Sequence, residues 1–206
     1  MDNYRHRICT AINPDLPSAA ILYETSGQTG DNVAGHDFAP KPNSALTLAS
    51  VLMPITTYHS EPHILLTQRA SHLQKHSGQV AFPGGKVEAD DATPIAAALR
   101  EAHEEVGLPP AQVEVAGVLD TYETGTGFRI LPVVGFIADP FTAIADVNEV
   151  AHIFEVPLTL ALNADNYKEH KVMWQGKHRR YHALEYQGFN IWGATAGMLL
   201  NLAKRL

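Results

Sequence analysis

Three glutamates, Glu101, Glu104 and Glu105, are the densest group of chemically capable side chains in the chain. Plotted at about 100° per residue, they fall within roughly a third of a helix circumference. Like charges one turn apart repel and cost helix stability. A divalent cation held among them removes that cost, and all-oxygen carboxylate ligation suits Mg2+ or Mn2+ rather than zinc. Arg100 flanks the set and has Glu104 at i+4, so it is placed to orient the carboxylates through ion pairs. A glutamate-rich helix face is more often only a solvated surface, and the three acids alone do not decide between the two readings.

The helix that must carry them is well marked. Thr93 suits the N-cap, Pro94 the first helical position and Gly107 the residue just past the end. Ile95, Leu99, Ala102 and Val106 form a separate apolar stripe, expected to face the core. Upstream, Pro83-Gly84-Gly85 reads as a tight turn in which glycine supplies φ > 0. An acidic loop with Glu88, Asp90 and Asp91 joins that turn to the helix.

Taken together, the stretch from Phe82 to Leu108 resembles the Nudix box, G-x5-E-x7-R-E-U-x-E-E-x-G-U, where U is apolar. Gly85, Arg100, Glu101, Glu104, Glu105, Gly107 and Leu108 fall on its defined positions, with Ala102 as a small U. Asp91 stands where the box has glutamate, with one extra residue before Arg100. The preceding segment, Leu65 to Gly85, reads LLTQRASHLQKHSGQVAFPGG and is similar to the signature of the coenzyme A pyrophosphatase branch of Nudix hydrolases. Leu65, Leu66, Thr67, Ala70, Gly78 and Phe82 to Gly85 match; Gln74 stands where that signature has arginine, with Lys75 beside it.

The resemblance implies an α/β fold, an α/β/α sandwich with a mixed sheet. It implies hydrolysis of the diphosphate of coenzyme A and its thioesters, a small-molecule nucleotide substrate, with Mg2+ or Mn2+ as cofactor. Metal ligation is implied for Glu101, Glu104, Glu105 and the Gly85 carbonyl. Glu101 or Glu149 is implied as general base and Arg100 as the group that orients the carboxylates; Arg69, which replaces the signature's second threonine, Lys75 and Gly84 are candidate substrate contacts. Glu149 lies in a loop before the F-E-V-P-L segment, where a merely solvated carboxylate is the alternative; Glu155 competes with it but is expected to pair on the surface of a strand. Other readings stay open. Another nucleoside diphosphate derivative (an ADP-sugar, NADH or a dinucleotide) is one, and a non-catalytic nucleotide sensor is another, although such sensors typically lose box glutamates. An isoprenoid diphosphate isomerase ranks lowest, because the only cysteine, Cys9, lies far from the box.

Composition agrees with one sizeable domain: 206 residues, 45% hydrophobic and 18% charged. Residues 1–43 read as an N-terminal arm and 44–206 as the domain. The net charge of −7 argues against general nucleic-acid binding, which needs basic surface, but not against a nucleotide whose charge is met locally. No run approaches the roughly 18 apolar residues of a membrane span, and the N-terminus lacks a signal-peptide core. A single cysteine fits a reducing compartment, so a cytoplasmic location is expected. His72, His76 and His103 have no cysteine partners in zinc-site spacing.

Strands are expected at Ala45–Tyr58, His63–Arg69, Gly78–Phe82, Gln112–Tyr122, Arg129–Ala138 and His152–Val156, and a short helix over Pro157–Asn163. A strand pair, Tyr167–Trp174 with Tyr181–Tyr186, is expected around Gln175-Gly176. Lys177, His178, Arg179 and Arg180 would form its solvated basic cluster. A last helix, Ala194–Leu206, would bury Met198, Leu199, Leu202 and Leu206. In the arm, a short helix is expected near Ser18–Thr25 and a loop from Ser26 to Pro42. The arm would pack on the domain or on the partner subunit of a homodimer.

Overall fold

Two ten-residue strands, Thr47–Thr56 and Phe128–Ile137, form the spine of the fold. They pair in parallel, from Thr47 opposite Phe128 to Thr56 opposite Ile137. Both are covered on both faces, which is why their sequences run almost continuously apolar instead of alternating. The computed structural model describes residues 2–14, 29–31, 46–73, 76–174 and 177–206. In chain order the elements are α1 (Asp2–Ala11), β1 (Thr29–Gly30), β2 (Thr47–Thr56), β3 (His63–Arg69), β4 (Val80–Ala81), β5 (Gly84–Lys86) and α2 (Pro94–Val106). They continue with β6 (Glu114–Val118), β7 (Tyr122–Glu123), β8 (Phe128–Ile137), β9 (Val150–Pro157), α3 (Leu158–Ala161), β10 (Lys168–Trp174), β11 (Lys177–Tyr186), β12 (Phe189–Trp192) and α4 (Ala194–Ala203).

β1 to β9 make one nine-stranded mixed sheet, and β10-β11-β12 a separate antiparallel sheet. Alternate side chains of the large sheet feed two cores. Val51, Met53 and Ile55 of β2 and Ile64 and Leu66 of β3 face one way, against Ile8 of α1 and Met198, Leu199 and Leu202 of α4. Leu52, Leu65, Leu131 and Val133 face the other way, against Ile95, Ala98, Ala102 and Val106 of α2. The result is an α/β/α sandwich, as the resemblance implies.

Several expectations change in detail. The start of the arm, for which no element was expected, is a helix: Ile8 is fully buried and Ile12 nearly so, with Tyr4 packed beside them. Their i, i+4, i+8 spacing is the signal that identifies it. The helix expected near Ser18–Thr25 lies outside the described residues. Gln112–Tyr122 is not one strand: β6 carries a bulge between Val115 and Gly117, and β7 is a separate two-residue strand. The strand expected over Gly78–Phe82 is limited to Val80–Ala81. Pro83-Gly84-Gly85 is no turn: Gly84 and Gly85 sit in β5, paired with Val51 and Ser50 of β2. β11 begins at Lys177, so the basic run belongs to a strand; His178 and Arg180 are exposed, as expected for a solvated hairpin. α4 stops at Ala203, and Leu206 packs half-buried beyond its end.

Candidate active site

α2 forms as its sequence dictates. Thr93 Oγ1 accepts the Ala96 N–H at 3.1 Å, and Gly107 at φ 70° closes the helix with its N–H on the His103 carbonyl at 3.0 Å. The last carbonyls of α2 are taken by the 144–149 segment. Ile144 N–H donates to Val106 O and Asp146 N–H to Glu105 O, each at 3.0 Å. The turn that follows presents Glu149, whose carbonyl accepts the Ala70 N–H at 2.8 Å. Glu149 is thereby fixed to both α2 and the end of β3.

The buried stripe of α2 differs from the expected one. Leu99 is only half-buried, while Ala97 and Ala98 are buried with Ile95, Ala102 and Val106. The helix is therefore rotated toward its alanine side, and that rotation carries Glu105 inward. Glu105 is 4% exposed, with Gly84 N–H 3.3 Å from its Oε2 and Arg69 Nη1 3.8 Å from its Oε1. Burial pushes its carboxyl up to about 8; Arg69 pulls against that shift, while the charges of Glu101 and Glu149 add to it. Glu101 is shifted upward as well, first by burial and against the pull of Arg100. Glu104 points outward, its side chain 57% exposed.

Arg100 is the organiser. Nε and Nη2 each donate to the Asp91 carboxylate at 3.0 Å, and Nη1 donates to both Glu101 and Glu104 at 3.0 Å. Nη2 also donates to the Lys86 carbonyl at 3.3 Å, so every N–H of the guanidinium fork is engaged. Asp91 thus has a defined role: it grips Arg100 from the loop, and those hydrogen bonds hold its carboxyl below the usual range. The extra residue before Arg100 and the shorter acid together still close this contact.

Gly85 is needed for a close approach, not for a left-handed backbone. A Cβ there would lie 2.6 Å from Glu101 Oε2 and closer still to Cδ and Oε1. The flanking bonds Leu52 N–H to Pro83 O (2.9 Å) and Val87 N–H to Leu48 O (3.1 Å) set the ladder phase. That phase makes Ser50 and Gly85 a hydrogen-bonded pair, leaving the Gly85 carbonyl one lone pair.

A cavity of about 720 Å3 opens beside these residues. Glu101, Glu149, Arg69, Gly84 and Gly85 line one side of it. Phe128, Ile130, Trp192 and Met198 give it an apolar side. Two groups important to it were not singled out from the sequence: this apolar wall, and Asp31 of the arm. The helix residues Glu101, Glu104 and Glu105 do not meet at one point; Glu101 lines the cavity, Glu105 lies buried behind it and Glu104 is not among the lining residues. Lys75 lies outside the described residues. His178 and Arg180 are not in the lining; Arg180 lies 3.8 Å from Glu169. Glu155 serves elsewhere, accepting from Thr56 Oγ1 at 2.7 Å with His59 Nε2 at 2.8 Å.

The donor set has the chemistry of a hard-cation site: carboxylate oxygens whose charges raise one another's proton affinity, beside a carbonyl with a spare lone pair. Among the described residues no three His, Cys, Asp or Glu side chains form a ready cation cage. The donor types fit Mg2+ or Mn2+, but Glu104, 57% exposed, would have to leave Arg100 Nη1 to join Glu101, and Glu149 would have to turn from Arg69.

Residues 47–179 match the NUDIX domain family model. The uncharacterized Nudix hydrolase NudL of Enterobacter sp. (strain 638) is 47% identical over 158 residues, spanning 77% of this chain and 82% of the relative. NudL of Escherichia coli (strain K12) is 46% identical over the same shares. Among solved structures, a MutT/nudix family protein from Enterococcus faecalis aligns with a TM-score of 0.50 and 15% identity, covering 82% of this chain and 64% of that one; this likeness concerns the fold. A family match that takes in β2 to β9, the box helix and most of the cavity lining, with relatives this similar over most of their length, means that the chain belongs to the Nudix hydrolase family.

Proposed function

We propose that this Nudix hydrolase cleaves the diphosphate bridge of coenzyme A and its thioesters. The products would be 4′-phosphopantetheine, or its acyl form, and adenosine 3′,5′-bisphosphate. The observation that supports this reading is the course of Leu65–Gly85, the segment similar to the coenzyme A branch. It supplies Arg69, Val80, Phe82, Gly84 and Gly85 to the cavity that also receives the box carboxylate Glu101.

Glu101, Glu104, Glu105 and the Gly85 carbonyl would hold Mg2+ or Mn2+. When bound, the metal supplies Lewis-acid polarisation of phosphate oxygens and acidity for water. Arg100 keeps Glu101 pointed at the cavity through its 3.0 Å hydrogen bond. Glu149 is the better placed base for the attacking water. Its nearest cation, Arg69, stands 3.9 Å away, whereas Glu101 already takes a short bond from Arg100. Arg69 Nε is buried without a hydrogen-bond partner and its Nη1 makes only long contacts, so its donors are available to a substrate phosphate. The apolar side of the cavity would take the organic part of the substrate. A cytoplasmic location accords with a chain whose one cysteine, Cys9, is a free thiol.

The test is incubation of the pure protein with coenzyme A, ADP-ribose and NADH in Mg2+ or Mn2+, with products resolved by chromatography. Cleavage of coenzyme A to the two named products is expected to be fastest. Turnover of ADP-ribose or NADH with coenzyme A left intact would move the assignment to another nucleoside diphosphate derivative.

A further inference from the structure

Asp31 lies outside the stretch that matches the family, which begins at residue 47, yet it lines the same cavity as Glu101 and Glu149. It arrives there through β1, which runs parallel to β7 with Thr29 opposite Tyr122 and Gly30 opposite Glu123. Thr29 N–H donates to Thr121 O at 2.8 Å and Asp31 N–H to Glu123 O at 2.9 Å. Gly30 permits this approach: at φ +145° a Cβ would lie 2.6 Å from Glu123 N. Asn201 of α4 adds a 3.4 Å contact from its Nδ2 to Thr29 Oγ1.

The Asp31 carboxylate then closes on the segment that joins β7 to β8. Oδ1 accepts the Tyr122 hydroxyl and Oδ2 the Gly125 N–H, each at 2.8 Å. Within that segment, Thr124 Oγ1 accepts the Phe128 N–H at 3.0 Å, and Gly127 N–H reaches Thr124 O at 3.0 Å. Thr124, Thr126 and Phe128 all line the cavity. This wall and the carboxylate wall lie on opposite sides of β2, since Ser50 pairs with Gly85 on one side and Leu131 on the other. Two strand spacings separate them by about 10 Å. A substrate whose reacting bond lies at Glu101 and Glu149 would meet the Asp31 wall with its remainder.

We infer that Asp31 is a positioning residue for substrate binding, clamping the Thr124–Gly127 loop as the far wall of the cavity. The inference rests on the reading that this cavity holds the substrate. It gives the N-terminal arm a part in the site: the clamp sets how tightly the non-reacting portion is held.

The experiment compares Asp31→Ala, Asp31→Asn and Tyr122→Phe with the parent chain, by steady-state kinetics and by hydrogen exchange over residues 121–130. Loss of a uniform binding contact raises KM with little change in kcat. Asp31→Ala is expected to raise KM by roughly tenfold, with kcat within about threefold, and to speed exchange at Gly125 and its neighbours. Asparagine keeps an acceptor for the Gly125 N–H, and its amide can donate to the Tyr122 oxygen, so Asp31→Asn should restore most of the loss. Tyr122→Phe removes one of the two bonds and should fall between; it carries the test if Asp31→Ala does not fold. An unchanged KM, a loss confined to kcat, unchanged exchange in the loop, or an asparagine variant as impaired as alanine would each overturn the clamp. Kinetics are read on whichever diphosphate the parent chain cuts, and exchange needs no substrate. Failure of the coenzyme A assignment is therefore distinguishable from failure of the clamp.

Discussion

Replacing Gly85 by alanine should separate activity from stability. The added Cβ would stand 2.6 Å from Glu101 Oε2, with Cδ and Oε1 nearer. Ordinary contact begins near about 3.5 Å, so the carboxylate must retreat by roughly 1 Å. What it displaces is the end of a flexible side chain, not backbone, and Gly85 lies in a paired strand without a left-handed φ. The fold should therefore tolerate the methyl group, with a stability change within about 1 kcal/mol, partly offset by the stiffer unfolded chain. Catalysis should not tolerate it. A displacement of about 1 Å in a reacting group costs on the order of 100-fold, or about 2.7 kcal/mol of barrier. The assay pairs kcat, from product release under saturating substrate, with Tm from calorimetry. A kcat within about threefold of the parent would refute the reasoning, because it would mean that Glu101 need not stand where Gly85 lets it. A collapse in Tm would refute the claim that the methyl group meets only the Glu101 side chain.

Further consequences can be measured. Arg100→Ala leaves Asp91, whose side chain is 6% exposed, with only the Glu88 N–H at 2.8 Å in place of its cation. Stability should fall by about 1–3 kcal/mol, read by denaturant melts, along with a large loss of turnover from a disordered Glu101. For Glu105, whose folded carboxyl sits near 8, both states are protonated at low pH and the burial carries no penalty. As pH rises through the window from about 4.5 to 8, the unfolded chain ionises first and stability is lost. In chelator, the parent should lose on the order of a few kcal/mol relative to Glu105→Gln between pH 5 and pH 8; parallel stability profiles would count against the buried acid. Chelation should also stop turnover, Mn2+ should restore it, and Glu101→Gln should weaken Mn2+ binding by roughly tenfold or more, measured by paramagnetic resonance.

Much of the box was legible before any fold was known. Thr93, Pro94 and Gly107 act locally, so the bounds of α2 follow from neighbours in sequence. The long apolar runs of β2 and β8 likewise announce strands covered on both faces. Helical spacing also groups Glu101, Glu104 and Glu105, because the angle between side chains is a property of the helix alone.

What that spacing leaves undetermined is the zero of rotation. Packing of Ala98 and Ala102 against the sheet turns α2 so that Glu105 is buried and adjacent Glu104 is exposed, two acids alike in composition and opposite in environment. Gly85 likewise reads as a turn in isolation; pairing with Ser50 makes it strand, and the reason for its missing side chain lies sixteen residues on, at Glu101. Asp31 meets Gly125 across 94 positions of chain, with no periodicity to announce it. Near neighbours along the chain were enough to set the helix, its caps and the spine strands, while the class of chemistry rested on the likeness of Phe82–Leu108 to the Nudix box. Which carboxylate is dry, which is wet and what walls the cavity follow from packing, because burial and long-range hydrogen bonds arise only when distant segments come together.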